Sequence, residues 1–220
     1  MTSHPMPYPG HEAYSSLYAR YLKGSRSQEL LELAGHISGK KVADLCGGGG
    51  RLSHLAWASG AQVTLVDESA PMTELSNAGC QVRVVNRSIK SWMGAFFQPD
   101  EFDVVFCQQG INYWLDAWTA ETLAEMIRPA GIFIFNTFNR KPSTTPAVKQ
   151  YELGGVNFVE VSWLVGENCV EHVQIREGEA PHSTRFQWIS SDKFRELLSP
   201  YFECTENIDG VSSVWVCTRR

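Results

Sequence analysis

Residues 42–50 read Val42-Ala43-Asp44-Leu45-Cys46-Gly47-Gly48-Gly49-Gly50, and residues 63–67 read Val63-Thr64-Leu65-Val66-Asp67. A short apolar run that enters four glycines and leaves into Arg51–Ala58 is the pattern of a buried strand, a tight turn and a helix. Backbone without side chains lets a ligand approach closely, and the following helix aims its free N–H groups at the same place. The neighbouring residues narrow the ligand. No Lys-Ser or Lys-Thr follows Gly50, which excludes a phosphate loop, and Ser53 stands where a dinucleotide fingerprint begun by Gly48-x-Gly50 needs its third glycine. Asp44, inside the strand end, would repel a pyrophosphate and suits an ammonium group. Asp67 follows the glycines by about 20 residues, the spacing at which a strand-end carboxylate accepts ribose hydroxyls. Ser69 and Pro71 come next, so Asp67 also reads as a cap on the helix that follows. Together the two carboxylates suit an adenosyl group attached to an amino acid.

Working outward, strand and helix signals alternate. Strands are expected at 62–66, 81–85, 102–107 and 132–135, with a helix after Pro71 and another around 117–127 that Arg128-Pro129 stops. That alternation predicts a parallel sheet with helices on both faces. Upstream, Tyr14, Leu17, Tyr18, Tyr21 and Leu22 fall on one helical face, and a second short helix carries Leu30, Leu33, Ala34 and Ile37. Downstream, Val159, Val161, Trp163 and Val165 alternate with polar or smaller residues, and Gly166-Glu167-Asn168 turns the chain into 169–175, an antiparallel insertion. Ser191 can cap a helix with Phe194, Leu197 and Leu198 as its stripe, before two last strands at 202–205 and 214–217.

Length and composition exclude several classes. The chain has 220 residues and a formal net charge of −5, which argues against an extended phosphate-binding surface and leaves nucleic acid disfavoured as a partner. No apolar run approaches the roughly 18 residues of a membrane span, and the N-terminus lacks a secretory pattern. The six cysteines include no C-x-x-C pair, so no metal site is expected, and reduced thiols in a cytoplasmic protein are the simplest reading.

The motifs at 42–50 and 63–67, with Phe102-Asp103-Val104-Val105-Phe106-Cys107, Ile127-Arg128-Pro129-Ala130-Gly131-Ile132-Phe133 and the late segment 188–198, together resemble the class I S-adenosylmethionine-dependent methyltransferase family, small-molecule type. The resemblance implies an α/β fold. It is a Rossmann-like doubly wound sheet, mostly parallel, with a C-terminal antiparallel hairpin and an antiparallel β insertion after the fifth strand. One domain over 1–220 would comprise N-terminal lid helices (1–39), a cofactor-binding core (40–137), the insertion (155–190) and the last helix and strands (191–220). It further implies S-adenosyl-L-methionine as cofactor and a small-molecule acceptor methylated on nitrogen or oxygen, in a monomer or homodimer. Asp44, Cys46, Gly47, Gly48 and Gly49 would face the methionine part, Asp67 and Glu68 the ribose, and Ser88 and Ile89 the adenine. Gln108, Gln109 and Asn112 would flank the sulfonium, and Tyr14, Tyr18 or Tyr21 would close over the cofactor. Cys46 stands where the family usually has glycine, and Ser88 where it commonly has aspartate.

For the acceptor, His172 and His182 in the insertion are the candidate catalytic groups. His172, Gln174 and Arg176 share one strand face, either a polar pocket wall or plain solvent, with solvent expected for Arg176. Trp114, Trp118, Phe138 and Trp163 could frame an aromatic acceptor or pack as core. The competing readings are an RNA or protein methyltransferase, a cofactor-binding module without catalysis, and a nicotinamide enzyme.

Overall fold

The computed structural model describes residues 26–76, 81–96, 98–153, 155–178, 180–210 and 212–220; the tyrosine helix expected around Tyr14, Tyr18 and Tyr21 lies outside them. Helix α1 (Ser27–Leu33) leads into β1 (Lys41–Leu45), the glycine turn and α2 (Arg51–Ala58). The rhythm then repeats through β2 (Gln62–Asp67), α3 (Ala70–Ser76), β3 (Arg83–Asn86), α4 (Ile89–Phe96) and β4 (Phe102–Gln108). A 3-10 turn (Ile111–Tyr113), α5 (Ala117–Met126) and β5 (Ile127–Phe138) complete it. A second sheet follows, built from β6 (Ala147–Leu153), β7 (Val156–Val165), β8 (Cys169–Arg176) and β9 (His182–Gln187). The chain closes with α6 (Ser191–Leu198), β10 (Phe202–Asp209) and β11 (Ser212–Arg219).

The main sheet runs β10-β11-β5-β4-β1-β2-β3, and only β11 is antiparallel to its neighbours. β1 lies between β2 and β4 and is covered on both faces, which is why it reads as an unbroken apolar run around Asp44. Ala43 and Leu45 point into one core with Trp92, Met93, Leu123, Phe133 and Phe135. Val42 points into the other with Leu30, Leu52, Ala56, Phe106 and Ile134. The first core is largely aromatic: Phe135 stacks on Trp215 at 5.7 Å between ring centres and meets Phe194 at 5.2 Å.

The structure departs from the sequence expectations in four places. The insertion begins at Ala147, not at 155, because β6 pairs along β7 from Ala147 opposite Ser162 to Leu153 opposite Val156. Helix α4 was not expected at all, although Ile89, Trp92 and Met93 carry helical spacing into the core. The cap of α6 is Ser190, whose side chain accepts from the Lys193 N–H, while the Ser191 hydroxyl donates to Glu206 Oε1. Finally, the thiols are not all reduced: Cys204 and Cys217 are directly opposed on β10 and β11 and are bonded to each other, while Cys46, Cys107 and Cys169 are free.

Truncating the ring at the centre of the aromatic core should be the most damaging single change in the main sheet. Phe135→Ala is expected to cost about 3–5 kcal/mol, read as a lowered urea midpoint with an unchanged slope.

Candidate functional site

Strand order reverses between β1 and β4: the chain proceeds outward from β1 through β2 and β3, and from β4 to β5 on the other side. The crevice outside the carboxyl ends of two such strands is where open α/β sheets bind ligands. Three segments meet there, the Cys46–Gly50 turn, Asp67 to Ser69, and Gln108 to Tyr113.

The glycine turn is set by space and by conformation. A Cβ on Gly47 would lie 2.8 Å from the Leu65 side chain and 2.9 Å from the Asp44 carboxylate. Gly48 and Gly50 have φ of 51° and 75°, values that only glycine adopts freely. Beneath the turn Asp44 is buried, and its Oδ2 accepts from both the N–H (3.1 Å) and the hydroxyl (2.7 Å) of Ser53 at the start of α2. Its Oδ1 is buried with no partner. Burial pushes the Asp44 carboxyl up to about 7, against the two bonds from Ser53 and with a smaller push from the Asp67 charge. Asp44 is therefore no open anionic wall; it meets a ligand only through the turn and its unpartnered oxygen.

Asp67 caps the helix that follows it and is also tied to the glycine turn. Oδ1 accepts from the Ser69 N–H at 2.8 Å, and Oδ2 accepts from the Gly48 N–H at 2.9 Å, so the carboxylate starts the next helix and clips the glycine turn. Each oxygen keeps a further lone pair for a ligand hydroxyl. Burial raises its pKa, with the Ser69 and Gly48 N–H groups opposing. Glu68 beside it is exposed, and partial burial of its carboxyl, then the Asp67 charge, raise its pKa.

Cys46 takes the place of a glycine by adopting a left-handed φ of 56°, a strained conformation for a residue with a side chain. Its side chain leans into the end of β4, where a Cβ on Gly110 would lie 2.4 Å from Cys46 Cβ. Gly110 thus supplies the volume that Cys46 occupies. Contact with the Cys107 thiol, then burial, raise the Cys46 pKa well above the ordinary thiol range. Gln109 is left-handed as well (φ 60°), and its N–H donates to Asn136 Oδ1 at 3.0 Å. Asn112 is buried with its Nδ2 donating to Thr137 Oγ1, leaving its Oδ1 without a partner, and Gln108 Oε1 accepts from the Ser27 hydroxyl. The Ser88 hydroxyl accepts from the Ser91 N–H at the start of α4, and the Ile89 side chain packs in the core.

The second sheet covers this floor. Cross-strand register puts Ser162, His172 and Thr184 in one row, with Glu160, Gln174 and His182 in the next, all on one face. Val170, Gln174 and Thr184 on that face are buried, whereas Val148 and Ile175 on the other are exposed, so the polar face is the inner one. It meets the floor through Tyr113, whose ring packs on Phe186 at 5.5 Å. Burial of the phenol raises the Tyr113 pKa, with the neighbouring Thr184 hydroxyl opposing and Cys46 adding to it.

His172 and His182 thus both lie on the inner face, and Ser162 Oγ is 2.7 Å from His172 Nδ1. Glu160 Oε1 accepts from the Tyr151 hydroxyl (2.6 Å) and from Gln174 Nε2 (3.0 Å). Arg176, expected in solvent, is half-buried with a buried Nε because it shares this face. Trp163 alternates onto the outer face and frames no acceptor, and Trp114 is core. Tyr113, Ser162 and Glu160 were missed by the sequence reading. Tyr113 carried a signal, an aromatic just past β4, whereas Ser162 and Glu160 become visible only once β7 is in register with β8.

Residues 42–131 match the family described as "Methyltransferase domain". Over 117 residues the chain is 35% identical to the ubiquinone biosynthesis O-methyltransferase of Bordetella pertussis, covering 51% of this chain and 48% of that one. The corresponding enzyme of Stutzerimonas stutzeri is 36% identical over 49% of each. The chain spans about half the length of these relatives. Its fold resembles that of an S-adenosylmethionine-dependent methyltransferase from Clostridium acetobutylicum (TM-score 0.72, 14% identity, 94% of this chain and 99% of that one). It also resembles CalS10, an amino pentose methyltransferase from Micromonospora echinaspora, solved with S-adenosylmethionine bound (TM-score 0.70, 18% identity, 94% and 97%). Residues 42–131 thus match a methyltransferase domain, and the fold is one shared with S-adenosylmethionine-dependent methyltransferases of known structure.

The interlocked pair Cys46 and Gly110 should tolerate change in one direction only. Gly110→Ala is expected to lose about 1–3 kcal/mol in denaturant titration through overpacking against Cys46, while Cys46→Gly is expected to fold normally. Asp44 also gives stability a pH signature. Its folded pKa is raised, so the native state holds the extra proton between about pH 4 and about pH 7 and stability falls as pH rises through that window. Thermal melts of wild type and Asp44→Asn should converge toward pH 4 and separate toward pH 7, with the wild type losing ground.

Proposed function

We propose that this chain transfers a methyl group from S-adenosyl-L-methionine to an oxygen or nitrogen of a small molecule. The observation that carries the reading is the pair of carboxylates around the glycine turn, and above all the buried Asp44 Oδ1 that lacks a partner. An unpaired buried carboxylate oxygen is costly to leave so and is relieved by a cation. The cofactor supplies an electrophilic methyl group on a positively charged sulfur and carries an ammonium. Asp44 and the turn suit that ammonium, and Asp67 retains lone pairs for two ribose hydroxyls. Gln108, Gln109 and Asn112 border the reacting end, where Asn112 Oδ1 is still unpartnered.

Displacement at a methyl group demands alignment more than chemistry, so the principal work of the protein is to hold the acceptor in line and exclude water. The polar inner face of the second sheet suits the first task and Tyr113 the second. His172 is the group we assign to the acceptor's proton, with His182 in the adjoining row as a further acceptor contact. Burial lowers the His172 pKa, opposed by Glu160, which favours the neutral imidazole that can take a proton near pH 7. A small acceptor accords with the relatives, one of which is named for ubiquinone biosynthesis and one for an amino pentose.

Calorimetry should detect S-adenosylmethionine and S-adenosylhomocysteine but no nicotinamide dinucleotide; the opposite pattern would reject the assignment. Asp67→Ala should weaken cofactor binding about 30-fold or more by losing two hydrogen bonds to a charged group. His172→Ala should instead lower turnover of an acceptor while leaving cofactor affinity within about threefold.

A further inference from the structure

The histidine on the inner face does not stand alone. Its Nδ1 is 2.7 Å from Ser162 Oγ, a contact set by the register that places the two residues directly opposite on β7 and β8. A hydroxyl both donates and accepts, so the contact permits either imidazole tautomer. If Ser162 donates, Nδ1 carries the lone pair, Nε2 carries the proton, and the ring offers only a donor to whatever lies beyond it. If Ser162 accepts, Nδ1 carries the proton and the Nε2 lone pair is directed away from the serine.

Only the second arrangement survives a change of charge. An imidazolium has protons on both nitrogens, so a serine that accepts from Nδ1–H keeps the same bond before and after His172 takes up a proton, whereas a donating serine must turn over. The surroundings favour the same outcome. Among the described residues on this face, Glu160 lies beside Ser162 on β7, Arg176 lies on the histidine's own strand, and His182 lies on β9. Lys149 and Tyr151 lie on β6, and Tyr113 approaches from the 3-10 turn beside Thr184. The Glu160 carboxylate acts on His172 directly and favours its charged form, which compensates part of the cost of forming a cation on a half-buried face.

We propose that Ser162 is a positioning residue that accepts from His172 Nδ1–H and so keeps the Nε2 lone pair available as a base for a hydroxyl acceptor. This rests on the methyltransferase reading. The proton of the acceptor hydroxyl passes to Nε2, the oxygen electron pair forms the new bond to the methyl carbon, and the carbon–sulfur pair leaves on a neutral thioether. The positive charge of the sulfonium ends on the imidazolium, where the Glu160 carboxylate favours it. An amine acceptor that is already neutral needs no base before attack, so the proposal is made for an oxygen acceptor.

The test is long-range proton–nitrogen NMR on the full chain labelled with 15N-histidine at about pH 8, where the neutral ring dominates. His172→Gln identifies the signals by their disappearance. In the wild type Nδ1 should be protonated and Nε2 bare. Ser162→Ala should shift the ring toward the Nε2–H tautomer, and Ser162→Thr, which keeps the hydroxyl, should restore the wild-type pattern. A wild-type ring protonated on Nε2, or a pattern indifferent to Ser162→Ala in a protein whose remaining histidine signals are unchanged, would overturn the proposal. Calorimetry with S-adenosylmethionine on the same samples separates the two readings. Affinity within about twofold in the serine variants supports the proposal. Absence of binding in the wild type overturns the methyltransferase reading and the base role with it, whatever the tautomer.

Discussion

Asp44 is a carboxylate sealed beneath backbone, and the middle of the molecule is arranged to make that tolerable. Two bonds from Ser53 fix where α2 begins, the bare Gly47 gives the carboxylate room, and Asp67 reaches back to hold the Gly48 N–H. One oxygen remains without a partner. A group in this condition stays protonated or waits for a cation, and burial moves it to about 7, the range in which a cationic ligand decides its charge. The turn, the helix start and the ligand site are therefore consequences of one desolvated oxygen pair.

Much of the core was legible because its signals are local. Apolar runs ending in Asp67 or entering glycines mark strands that are buried on both faces, and α2 was bounded by the sequence as the structure has it, at Arg51 and Ala58. Of the two readings open for Asp67 in the sequence, the structure shows the cap, with one oxygen on the Ser69 N–H, and adds a bond from the other to the glycine turn. Strand β6 escaped notice because Lys149, Gln150 and Glu152 break any apolar alternation, and its existence depends on pairing with β7. Disulfide pairing between Cys204 and Cys217 is equally non-local, a matter of hairpin register alone.

The second sheet reverses the usual meaning of alternation. Val159, Val161, Trp163 and Val165 look like a buried set, yet they share the outer face with the exposed Val148 and Ile175. The inward face carries the polar residues Glu160, Ser162, His172, Gln174 and Thr184 between the buried Phe158 and Val170, and the sheet meets the parallel core through Tyr113 and Phe186. Such hydrogen-bonding groups are poor core but good lining, and across the strands Ser162 pairs with His172 and Gln174 with Glu160. The glycine-turn floor and the polar roof come from separate stretches of chain and meet where Tyr113 packs on Phe186.

The interlock of Cys46 with Gly110 reaches beyond this molecule to its ancestry. Two positions 64 residues apart in sequence share one pocket of space. Their mutational effects are therefore coupled rather than additive. A side chain at 110 is costly while 46 carries a cysteine and becomes cheap once 46 is glycine, whereas 46 is free to change while 110 stays bare. The order in which the two positions can change at little cost is therefore constrained by volume.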